Sequence, residues 1–214
     1  MNRALTRGGL VDWVAISLAL AVALAGFWPV FGGPAFIGPA LAGVLGGAAV
    51  AWVGAWQRLS TAPVAVGLVA VYFLVGGAVA LPTHTIAGVI PSGKTLSDLA
   101  VASITVWRQF LSATVPVASF EAMGLVPFIV GLVASGLALS LAWRVHQAAW
   151  ALIPVGAAAV AVIAFGASVP FQPWVQAGLM MALVLSWLAY REAVGAPWAG
   201  GAGAAMATGA AAAR

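Results

Sequence analysis

The side chains able to do conventional chemistry are few and far apart. Among 214 residues there are eight Lys/Arg, four Asp/Glu, two His and no Cys. Without cysteine there is no thiolate nucleophile, no disulfide and no Cys-ligated metal. A zinc site takes three or four ligands. His84, in Pro82-Thr83-His84-Thr85, and His146, just past Arg144, fall in segments that the layout below puts on opposite sides of a membrane. The chain has no His-Glu-x-x-His motif, no membrane-embedded aspartate pair and no phosphate-binding glycine loop. A serine without a neighbouring base has little to activate it. The sequence therefore assigns no catalytic, cofactor-binding or metal-ligating residue and no cofactor.

The charges punctuate instead. Soluble domains carry about 25% charged residues; this chain carries 6%, with 64% hydrophobic residues and a mean hydropathy of +1.13. No charge occurs from Trp13 to Gln57, and Trp28-Pro29-Val30-Phe31-Gly32-Gly33-Pro34 divides that run in two. Val145 to Tyr190 is divided in the same way by Pro170-Phe171-Gln172-Pro173, while 59–93 and 122–143 each hold one apolar segment. A span needs about 20 apolar residues to cross about 30 Å of hydrocarbon. No ten-residue alternation of the kind a barrel requires is present. The expected fold is all-α: a polytopic membrane protein with six transmembrane helices at 14–28, 36–56, 64–81, 123–143, 148–166 and 174–190. The membrane domain covers 1–192, and 193–214 is an Ala/Gly-rich tail or linker. Arg3 and Arg7 ahead of an apolar stretch containing Ala21-Val22-Ala23 could open a signal peptide, but the stretch outruns an h-region of about 7–15 residues, so a retained first helix is expected.

With both termini cytoplasmic, Arg3, Arg7, Arg58, Arg144, Arg191 and Arg214 lie inside, and only Lys94 and Arg108 lie outside. That satisfies the positive-inside rule for a bacterial cell membrane. Trp13, Trp56, Trp143 and Trp187 then mark the inner interface, and Trp28 and Trp174 the outer. Scattered cations on such a chain make no basic patch, so no nucleic-acid partner is expected; the lipid bilayer is. The second span is rich in small residues, with Gly38, Ala42 and Gly46 on one four-residue spacing and Pro39, Gly43, Gly47 and Ala51 on the next. This predicts a central helix packed closely on several neighbours.

The outer connection, 82–120, contains one predicted amphipathic helix, Thr95 to Ser112, opened by Thr95-Leu96-Ser97-Asp98 as a capping signal. Leu96, Leu99, Ala100, Val106, Trp107, Phe110 and Leu111 share its apolar face, with Val101 and Ser103 as exceptions. It is an extracytoplasmic interfacial helix, lying either on lipid or as a lid on the bundle. Intramembrane charge is functional by default, but Asp12, Arg58, Glu121, Arg144 and Arg191 all sit at span ends, where they are expected to reach water or headgroups. The mid-span polar groups Tyr72, Ser135, Ser140 and Gln176 are expected to make ordinary interhelical hydrogen bonds.

Pro91-Ser92-Gly93-Lys94-Thr95-Leu96, the amphipathic helix, Thr114-Val115-Pro116-Val117, a span closing at Arg144 and Pro154 inside the next span follow one another in order. With Trp28-Pro29-Val30-Phe31 and Arg58, this layout resembles the amino-terminal membrane domain of the TgpA-like bacterial transglutaminase family, particularly its actinobacterial members. The chain departs from the family pattern at Arg144-Val145-His146, where an Arg-Arg-Pro-like step is usual, and lacks an acid in the preceding span. The resemblance implies a parent protein that continues through another span into an extracytoplasmic transglutaminase-like domain with a Cys-His-Asp triad. This chain would then be the non-catalytic part that anchors and orients that domain in cis. Two other readings are a six-span permease or substrate-capture subunit built from halves of opposite orientation, and a structural subunit that binds other membrane proteins.

Overall fold

Apolar sequence in hydrocarbon leaves the backbone no solvent to bond, so its N–H and C=O groups must pair within helices. The computed structural model describes residues 7–80, 93–112, 117, 122–145, 147–166 and 172–195, and all regular structure among them is helical. His84, Glu121, His146 and all of the expected tail beyond residue 195 lie outside these residues, while the last helix takes in the tail's first three. The helices are α1 (Arg7–Leu24), α2 (Trp28–Phe31), α3 (Ile37–Trp56), α4 (Thr61–Ala80), α5 (Gly93–Ser112), α6 (Leu125–Arg144), α7 (Leu152–Ala164) and α8 (Pro173–Gly195).

Five stretches are long and apolar enough to cross a membrane: Gly8–Phe31, Pro34–Trp56, Thr61–Val79, Leu125–Arg144 and Pro173–Val194. The sixth, Ala149–Ala164, is shorter. The chain is thus a helical, polytopic membrane-type protein whose elements fall close to the expected spans. The first helix begins well before the expected residue 14, because charge-free windows stop at Asp12 whereas the helix runs through it. Its outer end is broken. Ala25–Phe27 form a 3₁₀ turn, and Pro29 has no N–H to continue the α ladder. Gly32, at φ 64°, closes α2 in the left-handed conformation, its N–H bonding the Trp28 carbonyl.

The closest packing is between α3 and α6. A Cβ on Gly43 would overlap the Phe128 carbonyl, and one on Gly47 would overlap Ser135 Oγ and the Leu132 carbonyl. From the other side, a Cβ on Gly131 would come within 3.0 Å of the Ala40 carbonyl. Gly43, Gly47 and the fully buried Ala51 are therefore the face that meets α6. Gly46 instead accommodates Val71 of α4, and Gly38 meets nothing within 4 Å. The small-residue helix is not the central one, however. α6 has 67% of its span buried against 39% for the span containing α3, because α6 is enclosed by α1, α3, α4, α5 and α7. Small residues mark where two helices approach, and say nothing about how many sides are covered.

α5 lies on the bundle. Its Leu99, Val106 and Phe110 are buried, and Trp107 and Phe110 meet Phe165, just beyond α7, at 5.2 and 6.0 Å between ring centroids. Phe110 also packs against Phe27 and Phe31 at 6.1 and 6.3 Å. At the other end, the Tyr72 hydroxyl of α4 donates to the Leu99 carbonyl at 3.0 Å and lies 2.6 Å from Ser103 Oγ. The strap therefore crosses from α4 to the broken outer end of the first span and the end of α7. Ser103, an exception on the expected apolar face, faces inward because Tyr72 receives it. Leu96 and Ala100 are exposed with Val101 and Ile104, whereas Thr95, expected to cap the helix, is buried two residues inside it.

Substituting a large side chain separates the two small-residue rows. Gly47→Leu should destabilise the protein by about 3 kcal/mol or prevent folding, since backbone cannot yield as a rotamer can, whereas Gly38→Leu should leave it unchanged. Thermal unfolding in detergent checks both.

Candidate functional site

At one end of the bundle, α1, α6 and α8 converge on a buried ionic cluster. Trp187 and Arg191 lie four residues apart on α8 and so share a face. Trp187 Nε1 donates to Asp12 Oδ1 at 2.9 Å, and an Arg191 guanidinium nitrogen donates to Asp12 Oδ2 at 2.9 Å. The guanidinium stands 5.2 Å from the centroid of the Trp187 ring, within cation–π range. It also donates through both terminal nitrogens to the Ala142 carbonyl, each at 2.9 Å. That carbonyl belongs to the last turn of α6, where helical geometry leaves it without an intrahelical partner and the helix dipole presents negative charge. The cation is thereby matched by a carboxylate, a carbonyl and an aromatic face.

Asp12 is 0% exposed and Arg191 is 5% exposed. The expectation that both reach water or headgroups is overturned. Charge at the end of a span can turn inward when an opposite charge meets it, and here the two are 179 residues apart in sequence. The signal was present in the spacing: one acid on the first span, and Trp-x-x-x-Arg on the last at the same end. Arg58 and Arg144 are exposed, as expected.

Of the four mid-span polar groups expected to bond between helices, Tyr72 and Gln176 do so, whereas Ser135 bonds within its own helix and Ser140 does not bond among the described residues. Gln176 Nε2 of α8 donates to the Val22 and Ala23 carbonyls at 2.7 and 3.1 Å, next to the break in α1. Gly26 makes room, since a Cβ there would lie 2.6 Å from Val162 and 3.2 Å from Gln176. Ser135 Oγ donates to the Leu132 carbonyl of its own helix at 3.4 Å. Ser17 Oγ, Ser140 Oγ and Trp143 Nε1 are buried with no partner among the described residues. No group of three or more His, Asp or Glu that could hold a metal occurs among the described residues.

The cluster can act as a clasp. The two oxygens of the buried carboxylate are taken up by Trp187 and Arg191. Compared with known proteins, the chain matches no family model, no curated protein and no solved structure.

Removing one member of a buried ion pair strands the other in a low-dielectric site, at a cost of about 3–5 kcal/mol. Arg191→Met and Asp12→Leu should each lower stability by about that much, and the double variant Asp12→Leu/Arg191→Met should recover most of it. Unfolding of the four proteins in detergent gives the coupling directly.

Proposed function

We propose that this chain is a non-catalytic membrane domain that anchors and orients a transglutaminase-like catalytic domain lying outside it. The observation that carries this reading is the fixing of α8. Only 6% of its span is buried, yet polar bonds hold it at both ends, through Gln176 at one and Trp187 and Arg191 at the other. Such fixing suits a helix that must hold an orientation and not merely pack. The family-like layout around α5 and α6 supports the same reading, and α5 strapped across the bundle suits a platform beside an external domain.

In this reading the protein sits in a bacterial cell membrane with both termini cytoplasmic. Arg58, Arg144 and Arg191 gather at one end of the threading, and Lys94 and Arg108 lie on the strap at the other. The permease reading has one observation in its favour, the break in α1, because interrupted helices line substrate sites in transporters. Against it, the carbonyls beside the break already accept from Gln176.

Reading the gene past the codon for Arg214 tests the proposal. A further span followed by an external domain with Cys, His and Asp is expected; a stop codon beside ATPase genes would overturn it in favour of the permease. For the orientation, a reporter fused at Arg214 should report from the cytoplasm, and external activity would reverse the topology.

A further inference from the structure

At the end of the bundle that carries Arg58 and Arg144, a lateral groove of about 250 Å³ opens between α1 and α3, lined by Leu10, Trp13, Leu45, Ala49, Trp52 and Trp143 among others. Its walls carry no charged side chain. Leu10, Leu45 and Trp52 stand largely exposed, on a surface that faces hydrocarbon in a bilayer. Along α3 the groove runs from Leu45 to Trp52, and the Trp56 ring, one turn further on, stacks on Trp52 at 5.6 Å. From Leu45 to Trp56 is about 16 Å at about 1.5 Å per residue, close to one leaflet of a core about 30 Å thick. The stacked indoles occupy the level where tryptophan favours the interface.

Two residues beyond Trp56, the exposed Arg58 closes α3 with φ 54°. Leu59 N–H bonds the Gly54 carbonyl at 2.9 Å across this turn. Glycine is the usual residue at such a helix end, where a side chain is strained by about 1 kcal/mol. An exposed cation therefore follows the groove's Trp52 by six residues along the chain, in a conformation that disfavours any side chain. Arg144 lies elsewhere. Its guanidinium sits against Gly54, which faces away from Trp52 and Trp56 across the helix.

We propose that this groove is a binding site for one anionic phospholipid of the surrounding bilayer, with an acyl chain along Leu45, Ala49 and Trp52 and the headgroup phosphate at Arg58. Hydrocarbon, interfacial aromatics and cation follow one another in the order of the lipid's own chain, glycerol and phosphate. The charge selects anionic over zwitterionic headgroups.

Native mass spectrometry of the detergent-purified chain, titrated with phosphatidylglycerol or phosphatidylcholine, reads this directly. One phosphatidylglycerol should be retained in preference to phosphatidylcholine. Arg58→Gly should reduce its retention about fivefold, the effect of one interfacial cation, while thermal stability stays equal or rises because the backbone strain is relieved. Ala49→Phe, at an exposed position that does not touch the core, should fill the groove and abolish retention. Arg144→Gln makes the same charge change on the far side of α3 and should leave retention unaltered. Equal retention of both lipids, an Arg144→Gln effect as large as that of Arg58→Gly, or a second copy of the chain masking Trp52 would each overturn the proposal.

Discussion

The contact on which the fold rests is the approach of two backbones, α3 and α6, to a separation that admits no side chain at Gly43 or Gly47. In lipid, apolar side chains gain nothing by leaving solvent, so helices associate through dispersion contact and hydrogen bonds. Both grow steeply as backbones near each other. Once α3 lies against α6, the opposite faces of α6 are left to α1 and α7, with α4 in the angle between α3 and α6. The order of packing follows from which residues are small enough to let it start.

The outlying helix obeys the second rule of association in lipid, that polar groups hold where packing does not. α8 exposes Trp174, Val175, Leu179, Met181 and Leu185, and its buried side chains among the described residues are Trp187 and Arg191. Gln176 towards one end and the Asp12–Arg191–Trp187 cluster at the other act as two stitches about 16–22 Å apart at about 1.5 Å per residue. A helix fixed at two depths can neither tilt nor rotate freely. The same device recurs where Tyr72 holds α5 through the Leu99 carbonyl and Ser103, while the other end of α5 is held by packing on the rings of Phe27, Phe31 and Phe165.

The layout of helices was legible in the sequence because hydrocarbon thickness and charge cost act locally, on windows of about 20 residues. Expected spans such as 36–56 and 123–143 fall close to Pro34–Trp56 and Leu125–Arg144. The row Gly43, Gly47, Ala51 was legible too, as a place of close approach. Which helix would be enclosed was not, although α6 carries its own four-residue row, Ala134, Ala138 and Ala142, all buried: such rows mark single faces, whereas Phe128, Leu132 and Leu139 are buried by neighbours that only the tertiary fold brings together. The clasp was missed for the same reason. Asp12 and Arg191 each look like an ordinary boundary charge, and only adjacency of the first and last helices makes them a pair. Val101 and Ser103 were recognised as breaking the pattern of α5, and the bond from Tyr72 explains one of them.

Burying an ion pair contributes little net stability over an apolar pair of the same shape, because desolvation offsets most of the attraction. Its retention on α8 therefore points to what an apolar contact cannot supply, a single permitted register. Leucines along α1 and α8 could slide or turn past one another with nearly equal packing. Asp12 can meet Trp187 Nε1, and Arg191 can at the same time meet both Asp12 and the Ala142 carbonyl, in one arrangement only. The carbonyl adds the third helix to this condition, so the registers of α1, α6 and α8 are fixed together. With only 6% of its span buried, α8 is thereby held at a defined height and rotation.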